Sequence, residues 1–397
     1  MQMILPTLSK ITSPMALIKA VFLSAAAPDG VLRALGLAAI AAFFMLLTPA
    51  AEATGSAVGA SITIVKAADP SDGTDFRFEV DGPTNLTSPT FLGAWGSLGS
   101  GNGQFDRPYG TAVDAAGNIY VSDINNHRIQ KFDKEGVYSA KWGSSGNGNG
   151  QFNVPSAVAV DKNGDVLVVD TLNSRVQKFD SSGAFLDKWG TSGSGNGQFN
   201  FPTGAAVDES NHVYVVDTLN HRVQKFDNSG AYLTQWGSFG TGDGEFNEPW
   251  GIAVWDKKVY VTDANNDRVQ IFDEDGAYVS EFGMSGTTNG NFDLPTGVTV
   301  DAVGNVYVVD SDNHRVQKFS SAGEYAGQWG GFGSGDGQFD MPWSAAVDMA
   351  GHVFVVDVNN NRVQKFLSAG FLLDDASPDD GDAVADRAVL DWLPDGT

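Results

Sequence analysis

The 397-residue chain has no cysteine, which removes disulfides, thiol nucleophiles and cysteine-based zinc modules from consideration. Basic side chains are scarce: 24 Lys and Arg stand against 48 Asp and Glu, for a formal charge of −24. Gripping a phosphate backbone needs clustered Lys and Arg, so nucleic acid is not an expected partner. Histidine is rarer still, with five copies, which narrows any metal centre to carboxylates or to a few dispersed imidazoles. Helical periodicity is missing from residues 91–373, where apolar residues alternate with period two and turns recur every eight to twelve residues. Without cross-links, stability has to come from packing, and each buried Phe contributes on the order of 2 to 3 kcal/mol.

What fills that region is one unit in six near-copies. A Gly-x-Phe step sets the register at Gly103, Gly150, Gly197, Gly244, Gly290 and Gly337, with spacings of 47, 47, 47, 46 and 47 residues. In the first copy a Pro follows, then the alternating run Thr111-Ala112-Val113-Asp114, a Gly turn, and Ile119-Tyr120-Val121-Ser122-Asp123. Asn126-His127-Arg128 leads into a third run ending at Phe132, and a turn at Gly136 leads into a fourth ending at Trp142. Four strands per unit, repeated radially, predict an all-β, six-bladed β-propeller. The units resemble NHL repeats, named for an Asn-His-Leu step that reads Asn-His-Arg in copies one, three and five. The resemblance implies the propeller fold and says little about activity.

Closure is legible too. Phe91-Leu92-Gly93-Ala94-Trp95-Gly96 matches the outer strand of other copies but precedes the first Gly-x-Phe step, while the sixth copy lacks a Trp-Gly of its own. Residues 91–95 are therefore expected to supply the outer strand of blade six, joining the ring by strand exchange and covering an open sheet edge.

Outside the ring, Lys10, Lys19 and Arg33 precede an uncharged stretch, residues 34–51, and then Ala51-Glu52-Ala53. Basic, apolar and Ala-x-Ala in that order predict a secretory signal over 1–53, with an uncleaved membrane anchor as the alternative. Both place the propeller outside the cytoplasm, at the cell surface, in the medium or in a periplasm. Residues 54–90 and 374–397 read as flanking segments. Ser61–Lys66 and Asp75–Val80 alternate like two strands; Phe371–Asp375 and Ala388–Trp392 follow the ring, separated by an acidic turn. Together they resemble halves of a prealbumin-like (SpaA-type) surface β-sandwich, which implies a propeller inserted in that module; two unrelated linkers are the alternative. In such modules a final strand follows the step matched by Pro394-Asp395-Gly396-Thr397, which leaves open that the sequence is a fragment.

Three sets of residues are candidates for chemistry. The six Asp-to-Arg steps, Asp123 with Arg128 and its five counterparts, occur in every copy and are expected to be structural latches of the second-to-third turn. Asp114, Asp161, Asp208, Asp301 and Asp348 end the innermost strands and are weak candidates for a calcium ion at the channel mouth; hydrogen bonding to their own turns is the favoured reading. Trp255 breaks that ring of carboxylates in copy four. His127, His221 and His314 occupy equivalent positions about 25 Å apart by strand spacing and so cannot share a metal. His212 and His352 fall on opposite blades.

Differences between copies say more about recognition than what is shared. The residue after each Pro is Tyr109, Ser156, Thr203, Trp250, Thr296 or Trp343; the residue before it is Arg107, Val154, Phe201, Glu248, Leu294 or Met341. These should ring one mouth of the channel. Tyr109, Thr203, Trp250, Thr296 and Trp343, with Arg107 and Phe201, form the candidate ligand-binding surface; filling of the channel by the aromatics is the alternative. The function expected is an exported, non-catalytic scaffold for a protein, peptide or glycan, without a cofactor unless calcium binds. The rival is an exported hydrolase or lyase with a channel-bound divalent cation, similar to lactonases and antibiotic lyases of this architecture.

Overall fold

The computed structural model describes residues 89–368 and the two strands Ser61–Lys66 and Phe76–Asp81. Those strands belong to the first of two compact units, Met1–Pro83, and pair antiparallel from Ser61 opposite Asp81 to Lys66 opposite Phe76. The second strand thus starts one residue later than the alternation suggested. The expected export segment and the acidic segment 374–397, with the remaining strands of the expected sandwich module, lie outside the described residues.

The second unit, Thr84–Thr397, holds six four-stranded antiparallel sheets. Blade 1 consists of Pro108–Val113, Ile119–Asp123, Arg128–Phe132 and Tyr138–Trp142, from innermost to outermost. Blades 2 to 5 repeat this order. In blade 6 the outer strand is Thr90–Trp95, paired antiparallel with Arg362–Leu367 so that Trp95 lies opposite Val363. The chain therefore closes its own ring by the exchange expected from the displaced Trp-Gly step.

Second strands such as Val-Tyr-Val-Val-Asp are buried along their whole length because both faces of each blade are covered by neighbours. Six apolar clusters fill the gaps between blades. Between blades 1 and 2, Ala112, Tyr120 and Ile129 meet Phe152, Val158 and Val166. The Phe of each Gly-x-Phe step is fully buried in such a cluster. Phe105 lies 5.6 Å from Phe132, and Phe132 lies 5.9 Å from Trp95 of the preceding blade. The same Trp95 ring presses on the third-to-fourth turn of blade 1 at Gly136, where φ is +80° and an added Cβ would stand 2.6 Å from the indole. Only glycine suits that turn.

Deletion of residues 91–96 removes an outer strand and the Phe91 and Trp95 rings, and leaves Arg362–Leu367 as an open edge. It is expected to lower the melting temperature by roughly 10 °C or more; an unchanged thermal transition would mean that the exchanged strand is dispensable.

Candidate functional site

One end of the ring is built from the second-to-third turns and the Gly-rich loops that lead from each outer strand to the next innermost strand. These loops have almost no secondary structure, so their backbone groups need other partners. The latches supply them. Arg128 donates from Nε to Asp123 Oδ2 at 2.7 Å, from Nη1 to Ser100 O, and from Nη2 to Gly101 O and Gln104 O. Asp123 Oδ1 accepts from the Asp106 amide at 2.8 Å, and Gln130 Nε2 donates to Gln104 O. All six blades carry the pair, with Nε–Oδ2 distances of 2.6 to 2.8 Å. Burial pushes the carboxyls of Asp123, Asp263, Asp310 and Asp357 up, while amide, Asn and Arg donors pull the other way.

A second link crosses between blades, and sequence reading missed it. The residue before each latch Arg sits in the left-handed region, at φ of 49 to 53° for Ser174, His221, Asp267 and Asn361, for example. In every blade but blade 2, where the residue is Ser174, its side chain accepts from the amide of the residue that precedes Pro in the next blade. His314 Nδ1 takes the Met341 N–H at 3.1 Å, His221 Nδ1 the Glu248 N–H at 3.2 Å, and His127 Nδ1 the Val154 N–H at 3.5 Å. Asp267 receives the Leu294 amide and Asn361 the Arg107 amide, both at 3.0 Å. Three of the five histidines are thus clasps between blades. The signal was in the sequence: every residue at this position carries a short side chain or imidazole with an acceptor atom.

The mouth residues fall into two classes of blade. In blades 1, 4 and 6 the residue after Pro is aromatic, and Tyr109, Trp250 and Trp343 converge over the channel. Tyr109 and Trp343 have ring centroids 4.6 Å apart, and Trp250 stands edge-on to Trp343 at 5.1 Å. Burial raises the Tyr109 phenol well above its ordinary pKa, with Arg107 opposing. Phe201 joins at 6.3 Å from Trp250, whereas the Arg107 side chain is exposed. In blades 2, 3 and 5 the residue is a hydroxyl, and it is buried. Ser156 Oγ donates to Thr203 O; Thr203 Oγ1 bonds Trp250 O; Thr296 Oγ1 bonds Trp343 O. Thr203 and Thr296 therefore join blades beneath the surface, and the aromatic residues are what the mouth presents. Aromatic blades 1 and 4 provide the equivalent bond from their second strands, Ser122 to Ser156 O and Thr262 to Thr296 O.

Below the aromatics the six innermost strands enclose a cavity of about 240 Å³. The candidate calcium ligands do not converge on it. Asp114 accepts from Ala116 N, Asn118 and Tyr120 Oη, and Asp301 from Val303 N, Asn305 and Tyr307 Oη. Asp208 and Asp348 take the ring nitrogens of His212 and His352 as well as turn amides, and Asp161 pairs with Lys178 at 2.9 Å. Each carboxylate closes its own first-to-second turn. Among the described residues no group of three or more His, Asp or Glu is placed to hold a metal ion.

The same end carries large apolar side chains in solvent. Phe239 and Phe332 are 68% and 70% exposed, each with its ring against the clasp histidine of the preceding blade at a centroid distance of 5.0 Å. Leu98, Met284, Leu172 and Leu219 are also exposed in these loops and turns.

Comparison with protein-family models matches the NHL repeat at residues 105–132, 152–179, 199–226, 246–272, 292–319 and 339–366. These are NHL repeats. Each matched segment runs from the Phe of the Gly-x-Phe step to the end of the third strand and so contains one Asp and Arg latch pair. Over 42 residues the chain is 57% identical to the B-box type zinc finger protein ncl-1 of Caenorhabditis elegans and to the Protein brain tumor of Drosophila melanogaster. That stretch is 11% of this chain and 5% and 4% of theirs, so the chain spans about a twentieth of the length of these relatives and the likeness is to the NHL repeat alone. Among solved structures, a structural genomics protein of unknown function from Bacteroides thetaiotaomicron matches with a TM-score of 0.55 at 19% identity, over 69% of this chain and 76% of that one. The gluconolactonase XC5397 of Xanthomonas campestris matches with a TM-score of 0.52 at 16% identity, over 72% and 99%. Identities this low establish a shared fold and nothing about chemistry.

Replacing Arg175 with Ala strands a buried Asp170 carboxylate and is expected to cost about 3 to 5 kcal/mol in urea unfolding. His314→Ala, which orphans one amide, should cost about 1 to 2 kcal/mol. A latch variant no worse than the clasp variant would contradict this ranking.

Proposed function

We propose that the protein is an exported, non-catalytic binding scaffold that recognises a protein, peptide or glycan at the end of the ring where Tyr109, Trp250 and Trp343 meet. The observation that carries the reading is the coincidence, on one face, of this aromatic cluster with exposed Phe239, Phe332, Met284 and Leu98. Soluble proteins rarely leave so many large apolar side chains together in water unless they contact something. Export rests on the basic, apolar and Ala-x-Ala order of the first 53 residues. Exclusion of nucleic acid rests on the charge of −24.

The enzymatic alternative needs a channel-bound cation, and the carboxylates offered to it are committed to their own turns. We therefore place recognition, not hydrolysis or elimination, at this face, with no resident cofactor.

Two measurements test the reading. Trp250→Thr with Trp343→Thr installs the side chain that blades 3 and 5 already carry at this position, so the fold should survive, while signals on glycan and peptide arrays should be lost. Signals kept in full by the variant would move the site elsewhere. Calcium titration should leave the melting temperature of the chain unchanged; a stoichiometric ion that raises it would restore the hydrolase or lyase reading.

A further inference from the structure

Charge on the recognition face is not spread evenly around the ring. Loops and turns of blades 4 to 6 carry Asp243, Glu248, Asp293, Asp336 and Asp340. Blades 2 and 3 carry Asn149 and Asn196 where blades 4 and 6 have Asp243 and Asp336, and Asn153 and Asn200 where blades 5 and 6 have Asp293 and Asp340. Among the described residues, the one cation in these loops and turns outside the latches is Arg107. Within the acidic half, Asp312 has its carboxyl pushed up by burial and by the nearby Asp293 and Asp267, with His314 opposing. Among the described residues outside the latches, no Lys or Arg of these loops and turns stands beside Asp267, Asp293 and Asp312. Phe239, Met284 and Phe332, three of the exposed apolar side chains, rise from the same blade-to-blade loops.

We infer that the face takes a basic segment of another protein, one in which Lys or Arg alternates with large apolar side chains. The inference rests on the scaffold reading above and names its partner class. Apolar side chains would cover Phe239, Phe332 and Met284, and cations would stand over the carboxylates of blades 4 to 6; acidic or phosphorylated partners are repelled from the same surface. The neutral half, blades 2 and 3, adds the exposed Leu172 and Leu219 but no charge preference. Opposite charge on a face of this kind also speeds encounter, and it does so less as salt rises.

The repeats supply the test variants. Asp243→Asn, Asp293→Asn, Asp336→Asn and Asp340→Asn together place at each position a residue that blades 2 and 3 tolerate, and Phe239→Ser with Phe332→Ser does the same for the rim, after Ser145 and Ser192. Equal melting temperatures would verify that both variants fold. The full chain is titrated, by fluorescence anisotropy, with a labelled peptide alternating lysine and leucine, with its glutamate-for-lysine counterpart, and with a lysine and serine version. Expected are binding of the lysine and leucine peptide alone, weakening with salt, and a loss of about tenfold or more in either variant. Equal binding of that peptide to wild type and to the four-Asn variant overturns the inference, as does binding of the lysine and serine peptide as tightly as the leucine one. Capture of the glutamate peptide, lost in the rim variant, overturns the cationic partner while supporting the face. Binding of no peptide overturns the inference too, and the array comparison with the Trp variants then decides the face separately.

Discussion

A guanidinium bound to a buried carboxylate, repeated six times, is the interaction on which the rest of this ring depends. The loop from one blade to the next is rich in glycine, four of the twelve residues 96–107 for example, and glycine loses more conformational freedom on ordering than any other residue. Nothing in its composition would fix it. The latch Arg collects two or three loop carbonyls and the latch carboxylate, and the carboxylate in turn collects the amide just after the Gly-x-Phe step. Charge-assisted bonds of this kind, out of water, outweigh the entropy that a loose loop would keep. Because the mouth residues begin one position beyond that amide, their placement is inherited from the latch.

The clasp and the hydroxyl bonds then convert six fixed blades into one ring. Neither uses a side-chain pair within a blade. Each joins a side chain of one blade to a backbone group of the next, which is why the blades do not need identical sequences at these junctions. His, Asp and Asn all serve as the clasp, since each offers an acceptor and the position asks only for that and for a left-handed backbone, which Asn and Asp adopt readily. The hydroxyl bond even changes its origin, from the residue after Pro in blades 2, 3 and 5 to the second strand in blades 1 and 4.

This explains what was legible in the sequence. Blade number, strand order and the exchanged closing strand follow from spacing, because a repeat displaced by one strand, Phe91 to Gly96, leaves its mark in the text. The latch was legible because both partners lie five residues apart in every copy. The clasp was not, since its second partner is an amide in another blade and an amide has no letter. The two classes of blade could have been found: Ser156 with Thr171, Thr203 with Thr218 and Thr296 with Ser311 are paired hydroxyls 15 residues apart, where Tyr109 with Ile124 and Trp343 with Val358 are paired apolar residues. Such covariation between copies is a contact signal. Reading Thr203 and Thr296 as part of the mouth followed from their position; only the direction of their side chains shows them joining blades beneath it.

Stability and the proposed recognition thereby fall to different atoms of the same loops. Latch and hydroxyl bonds are made by largely buried side chains, clasps by half-buried ones, and all of them with backbone partners, so positions pointing outward are free to vary without loss to the ring. Ser145, Ser192 and Ser285 show that the rim position works with a small polar residue. Phe239 and Phe332, at the same position, forgo on the order of 2 kcal/mol each that burial would return. The fold gains little from rings left two-thirds in water, and three sister blades do without them. An apolar side chain kept where the architecture does not use it is what the proposed contact with another molecule requires.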